Sequence, residues 1–406
     1  MDWRSLDQQY IVSTYKRLPI AIAKGEGNYL YGTDGKGYLD LFTGLAVNVL
    51  GHSHPRILQA LREQGEQFLH ISNIFLNPPA IKLAQRLIEH TIPGKVFFTN
   101  SGAEATEAAI KLIHKWTTVE GAGRSGIVVL ANSFHGRTLG ALRLTRQPHV
   151  YQDFPQPDFP VYELEAGDIE QLRAVCEERR PAAVLMEPVL GSGGVVPLAE
   201  SYLQEVAAIC QATGTLFAMD EIQTGMGRTG KLFAFQHAAV TPDLILFAKG
   251  VGGGLPLGGV IAGEKLQDLF KPGDHGTTFA PSPLSAALGN AVLDELLDPS
   301  FQSRSQDVAQ YLWDRLEELR TVFPEQLQAL RGKGMMVGIP LSVSAEEVSG
   351  LQQKLLEEGI LVDVTQKTIV RLLPPLTLTR GDVDRLMDVF TRELKQLAIG
   401  KGGVKA

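Results

Sequence analysis

A chain of 406 residues with 44% hydrophobic and 20% charged side chains has the composition of a folded protein with a large core, about two domains' worth, and not of a disordered one. A formal net charge of −7 argues against nucleic-acid and membrane-surface partners. Only Cys176 and Cys210 occur, both in helix-like segments, which argues against a disulfide framework and for a reducing cytoplasm; no signal segment and no apolar run near the ~20 residues of a membrane span is evident.

In chain order, KGEGNYLYGTDGKGYLD (24–40) reads as a strand pair turning at Asp34-Gly35, within an N-terminal segment (1–50) expected to pack on the C-terminal domain. His52 and His54 in GHSHP have no further ligand cluster to complete a metal site and read as turn and packing residues. Residues 51–295 alternate apolar runs with helical patterns: VFFTN (96–100), IVVLA (127–131), AAVLMEP (182–188), LFAMD (216–220) and LILFA (244–248) are strands. Glu104–Trp116 and Ser201–Thr213 are helices with one apolar stripe. That alternation predicts a large α/β domain with a mostly parallel sheet. From Ser282 the pattern becomes a long helix, a second near Ser305–Arg320, short strands at Met335–Pro340 and Ile369–Leu373, and a helix after Thr379. Residues 296–406 are therefore expected to form a smaller α+β domain, with GKGGVKA (400–406) as a frayed tail.

Two of these strands end on a charge. Asp220 closes LFAM and Lys249 closes LILFA, and burying either alone costs several kcal/mol, roughly, so a shared chemical purpose outweighs the readings of a turn-forming Asp and a snorkelling Lys. A desolvated lysine is a neutral amine able to form a Schiff base. A carboxylate against a pyridinium nitrogen keeps such a ring protonated, the arrangement that pyridoxal phosphate needs. Ser101-Gly102-Ala103, between a strand and a helix, offers backbone N–H groups to a phosphate, although Ser101 with Glu104 also spells a capping box. In NSFHGRT (132–138), Phe134 can stack on a flat ring and Arg137 can meet a carboxylate. Arg371 lies in an apolar strand, where a bidentate carboxylate partner would offset its burial. GMGRTGK (225–231) has P-loop spacing, which would suggest an NTPase, but Leu232 replaces the required hydroxyl and KLFAF reads as strand; GAGRSG (121–126) precedes its strand and reads as a loop.

The run from Asp220 to Lys249, with AVNVLGHSHP, SGAEATEAAIKL, NSFHGRT, HGTTF and RGKGMMVGI, closely resembles the class III aminotransferases over nearly the whole chain, the acetylornithine branch most nearly. The resemblance implies a fold-type-I pyridoxal phosphate-dependent transferase, homodimeric, with sites at the subunit interface. It implies that Lys249 bonds to the cofactor and shuttles the proton, that Asp220 meets the ring nitrogen and Gln223 the ring hydroxyl, and that Phe134 stacks on the ring. Ser101, Gly102 and Ala103 would hold the phosphate, with Thr278 reaching it from the partner subunit. Arg137 would bind the far carboxylate of acetylornithine and Arg371 the α-carboxylate of glutamate, with Glu187 shaping the pocket. The implied reaction moves an ω-amino group from N-acetylornithine, or from 4-aminobutyrate, ornithine, succinylornithine or putrescine, to 2-oxoglutarate; an aminomutase or racemase is the alternative on the same cofactor. Two departures stand out: TTFAPSPL replaces the family's TFGGNPL, and Ser192 stands where an acid normally pairs with the arginine matched by Arg371. Arg371 is accordingly expected to stay unmasked in both half-reactions, so that α-amino donors compete unusually well.

Overall fold

The computed structural model describes residues 1–120 and 123–402, with residues 398–402 as backbone. Strands β1 (Ile22–Glu26), β2 (Tyr29–Gly32) and β3 (Gly37–Asp40) form an antiparallel ribbon, and the turn at Asp34-Gly35 falls between the last two, with Gly35 at φ 84°. The ribbon is continued by a strand from far along the chain, described below. His52 bridges to Gly27 and places Nε2 2.8 Å from Asp40 Oδ2, a packing role; Gly51 beside it has φ 76°, and a Cβ there would lie 2.5 Å from the Gly27 carbonyl oxygen.

Next come β4 (Gly94–Thr99), β5 (Ile127–Leu130), β6 (Val161–Leu164) and β7 (Ala183–Met186), then a ribbon of β8 (Val189–Leu190) and β9 (Val196–Pro197), then β10 (Leu216–Asp220), β11 (Leu244–Phe247) and β12 (Gly258–Gly263). Seven of them make one sheet in the order β4-β12-β11-β10-β7-β5-β6, parallel from β11 to β6 and antiparallel only about β12. IVVL, AVLM, LFAMD and LILF are buried at every position, the mark of strands covered by helices on both faces. One covering helix, Gly102–Val119, buries Ala105, Ala109, Leu112 and Trp116 at helical spacing; another, Glu200–Thr213, ends on Gly214 at φ 69°. Cys176 and Cys210 are both buried and unpaired.

The last strands are β13 (Arg331–Lys333), β14 (Met336–Pro340), β15 (Ile360–Leu361), β16 (Asp363–Thr365) and β17 (Ile369–Leu372). A four-stranded sheet runs β13-β14-β17-β16, while β15 adds in parallel to β3, joining the N-terminal ribbon to the C-terminal part of the chain. Helix Ala345–Glu357 packs on β15 and β16 and against Arg380–Gly402, which also packs on Pro299–Val322, whereas Pro283–Leu296 packs on Pro55–Gly65 and Pro78–Glu89 of the large part. Arg380–Gly402 enters the expected tail, whose residues 403–406 lie outside the described residues. Of GAGRSG, Gly121 and Ala122 also lie outside them, and Gly123–Gly126 is turn and loop before β5.

One expected strand is absent. Residues 231–235, KLFAF, form bends leading into a 3₁₀ turn at Ala234–His237. Glu221 Oε1 takes the Phe235 N–H at 2.7 Å and Gln236 Oε1 takes the Phe233 N–H at 3.1 Å, local bonds that outcompete a β ladder. Arg228 of the same loop is fully buried and donates to the carbonyls of Met335 and Pro374, so GMGRTGK is a joint between chain segments.

Candidate active site

The C-terminal ends of β4, β5, β7, β10 and β11 open on one cavity of about 680 Å³. Ser101, Gly102, Ala103, Phe134, Arg137, Glu187, Asp220, Gln223, Lys249 and Arg371 all line it, the position at which open α/β sheets collect ligands. Thr278 does not line it; it is exposed on a segment that Asn73 holds by the carbonyls of Thr277 and Ala280.

Lys249 follows β11 at φ 52°, a left-handed conformation seldom taken by a residue with a side chain. Burial, reinforced by the Arg371 cation, pushes its ammonium down to about 8, with Asp220 opposing the shift. Asp220, 3% exposed, is held from two sides: its Oδ2 lies 2.6 Å from His135 Nδ1 and its Oδ1 accepts the Ile222 N–H at 3.1 Å. A carboxylate facing Nδ1 makes that nitrogen the protonated one, and the His135 Nε2 is buried with no partner among the described residues. The His135 backbone is fixed by Thr106, which donates to its carbonyl, and by Thr145, which accepts its N–H. Glu187, which also lines the cavity, accepts the N–H groups of Phe134 (2.9 Å) and Gly191 (3.2 Å); burial raises its carboxyl to about 7 against the lowering pull of His135.

At the end of β4 the Ser101 hydroxyl caps its helix by accepting the Glu104 N–H at 3.2 Å. The Glu104 carboxylate, however, reaches past Ser101 to the Asn100 N–H at 2.6 Å, so the reciprocal half of a capping box is not made. First-turn N–H groups have no intrahelical acceptor, and here they face a cavity. A Cβ on Gly102 would lie 2.9 Å from the Ile222 side chain, so the cradle admits no side chain there.

Arg137 is exposed at the rim, its guanidinium 5.8 Å from the centroid of the Phe134 ring. Arg371, 5% exposed, is not unmasked: Nε and Nη2 donate to Asp363 Oδ2 at 2.8 and 2.5 Å. The expectation from Ser192 is overturned because β16 sets Asp363 directly opposite Arg371 on β17. Sequence reasoning missed both His135 and Asp363.

A mostly parallel sheet that gathers a desolvated lysine, a buried carboxylate and an open helix N-terminus at its strand ends defines a pyridoxal phosphate-dependent transferase. The residues fit that group: the amine forms no hydrogen bond or ion pair among the described residues, Asp220 is aimed by His135, and the glycine cradle is open to a phosphate. The profile of the class III aminotransferases matches residues 10–394, and the chain belongs to that family of pyridoxal phosphate-dependent transaminases, which pass an amino group from a donor to an oxo acid. It is 38% identical over 392 residues to the acetylornithine aminotransferase of Caldanaerobacter subterraneus subsp. tengcongensis, covering 96% of this chain and 98% of that one. It is 36% identical over 394 residues to the succinylornithine transaminase of Salmonella typhimurium strain LT2, with 97% and 96% covered. A Toxoplasma gondii ornithine aminotransferase structure, described with partial pyridoxal phosphate occupancy at its active site, superposes with a TM-score of 0.92 at 28% identity over 99% of this chain and 96% of that one.

Proposed function

We propose that the donor is N-acetylornithine, or a similar ω-amino acid, and that its ω-amino group passes to 2-oxoglutarate to give the semialdehyde and glutamate. The observation that carries this reading is the pair of arginines in one cavity, Arg137 exposed at its rim and Arg371 buried within electrostatic reach of Lys249. Two cations set apart suit a substrate with a carboxylate remote from its reacting nitrogen, and a dicarboxylic acceptor.

When bound, pyridoxal phosphate supplies an electron sink for charge developing beside nitrogen. Lys249 would hold the cofactor covalently, and its Nζ would carry the proton to and from the substrate carbon that bears the nitrogen. Asp220, steadied by His135, would keep the proton on the ring nitrogen, and Gln223 would meet the ring hydroxyl. Phe134 would stack on the ring, and the N–H groups of Ser101, Gly102 and Ala103 would hold the phosphate. Glu187 shapes the pocket by fixing the Phe134 backbone.

Homodimerisation is part of the proposal. Thr278 is exposed near an apolar surface of Leu69, Ile74, Phe75, Leu76 and Phe279, each more than 60% exposed, and a second copy would cover that surface while Thr278 served its phosphate site. In the same proposal residues 1–50 are an N-terminal segment that packs with the small domain, 51–295 the large cofactor-binding domain and 296–406 the small domain. Among the described residues no helix is long and apolar enough to cross a membrane, and two buried free thiols suit a cytoplasmic setting. A donor screen with 2-oxoglutarate tests the assignment, using acetylornithine, succinylornithine, ornithine, 4-aminobutyrate and putrescine. Acetylornithine or succinylornithine is expected to lead, and a lead by putrescine or by an α-amino donor overturns it.

A further inference from the structure

Arg371 donates from Nε and Nη2 to a single oxygen of Asp363, while its Nη1 faces Gln223 Oε1 at 3.5 Å. Asp363 itself lines the cavity, and its side chain keeps 24% of its surface where that of Arg371 keeps 6%. Its Oδ1 has no partner among the described residues, so the acid turns one oxygen to the arginine and leaves the other for the cavity side. Ser192 cannot take this part. Its backbone carbonyl accepts the Thr365 hydroxyl and the Gln366 amide, each at 2.9 Å, and so is tied to the tip of the hairpin that carries Asp363.

We infer that Asp363 is the specificity-determining acid of this site: it occupies Arg371 when the donor brings no carboxylate there, and an α-carboxylate must share or displace it. The inference rests on the reading that both substrates use this one cavity. The main-chain ladder between β16 and β17 fixes the Asp363 backbone, so the acid can leave the arginine only by rotating its own side chain. An α-carboxylate arriving at Nη1 and Nη2 meets a negative charge already seated on the adjoining edge. A donor whose carbon chain ends without a carboxylate at this point leaves the ion pair whole, and no charge is stranded in a buried site. Discrimination between α-carboxylates and ω-amines therefore sits on the strand beside the arginine. An ion pair that merely braced the hairpin would leave ligand affinity unmoved on neutralisation, which separates the two roles.

The test is the affinity of the cofactor-loaded protein for glutarate, an unreactive dicarboxylate, with the ratio of kcat/KM for glutamate and acetylornithine read alongside. In Asp363→Asn glutarate is expected to bind about tenfold more tightly, and the ratio to move towards glutamate by a similar factor, mainly through KM. Both changes should vanish when Asp363→Asn is made in an Arg371→Gln background. Unchanged or weaker glutarate binding by Asp363→Asn with a native Tm, or the same gain without Arg371, overturns the inference. Asp363→Ser replaces Asp363→Asn if that variant does not fold. Failure of the wild-type protein to turn over acetylornithine would count against the donor assignment alone, since glutarate binding needs no turnover.

Discussion

Lys249 offers the most direct quantitative test of the site. A displacement from 10.5 to about 8 leaves about 9% of the amine neutral at pH 7, against about 0.03% for an ordinary lysine, a gain of about 300-fold in reactive species. The same displacement destabilises the cofactor-free fold by ~3 kcal/mol. Because the folded value lies below the unfolded one, that penalty is complete below about pH 8 and is relieved as pH rises towards 10.5. The rate at which cofactor-free protein captures pyridoxal phosphate, followed against pH, should therefore rise with a midpoint near 8. Desolvation is the leading cause and Arg371 the next, so Arg371→Gln should move the midpoint up; Asp220 opposes both, so Asp220→Asn should move it down. A midpoint near 10.5 in the wild type, or shifts of the opposite sign in the two variants, would refute this electrostatic account.

Three further outcomes follow from the same geometry. His135→Phe removes the 2.6 Å partner of Asp220 and should weaken cofactor binding by about ten- to a hundredfold, measured by titration of the bound cofactor's absorbance; unaltered affinity would mean that Asp220 needs no second support. Arg137→Ala should reduce kcat/KM in the acetylornithine half-reaction by roughly tenfold or more and do less harm with glutamate, as single-turnover kinetics can decide. Glu221, buried and raised to about 7, binds its proton more tightly folded than unfolded. Its contribution thus falls by ~3 kcal/mol between about pH 4.5 and 7, and Glu221→Gln should flatten that part of the urea-stability profile. A variant-minus-wild-type difference that is the same at pH 5 and pH 7.5 would contradict it.

What the sequence disclosed and what it hid differ in the range of the forces involved. LFAMD and LILFA were legible because a buried parallel strand needs apolar side chains on both faces, and a charge closing such a run marks the strand end where ligands gather. The Lys231–Phe235 strand failed because its extended propensity lost to two side chains, Glu221 and Gln236, that take its N–H groups. His135 lay in plain view inside NSFHGRT, yet its aim at Asp220 depends on Thr106 and Thr145, which come from other segments. Asp363 was legible only to a reader who paired VDVT with IVRL: with Thr365 opposite Ile369 the register sets Asp363 against Arg371, and one residue of slip would put it on the other face.

The charges of the cavity divide into two kinds once that register is known. Asp220 is hydrogen-bonded to His135 and Asp363 is ion-paired with Arg371, contacts that the fold makes without any ligand. Lys249, Arg137 and the open helix N-terminus are left over, and they are the positive groups that face the cavity with no carboxylate of the chain upon them among the described residues. Anionic ligands are therefore drawn first to those three, and a carboxylate at Arg371 comes last, since it alone must disturb a pair already made. On the proposed function, chemistry and selectivity would be carried by different sheets: Asp220 ends β10 and Lys249 follows β11, whereas Asp363 lies on β16 and Arg371 on β17. A substitution confined to the second sheet can alter which carboxylates are admitted and still leave the desolvated amine and its aspartate as they are.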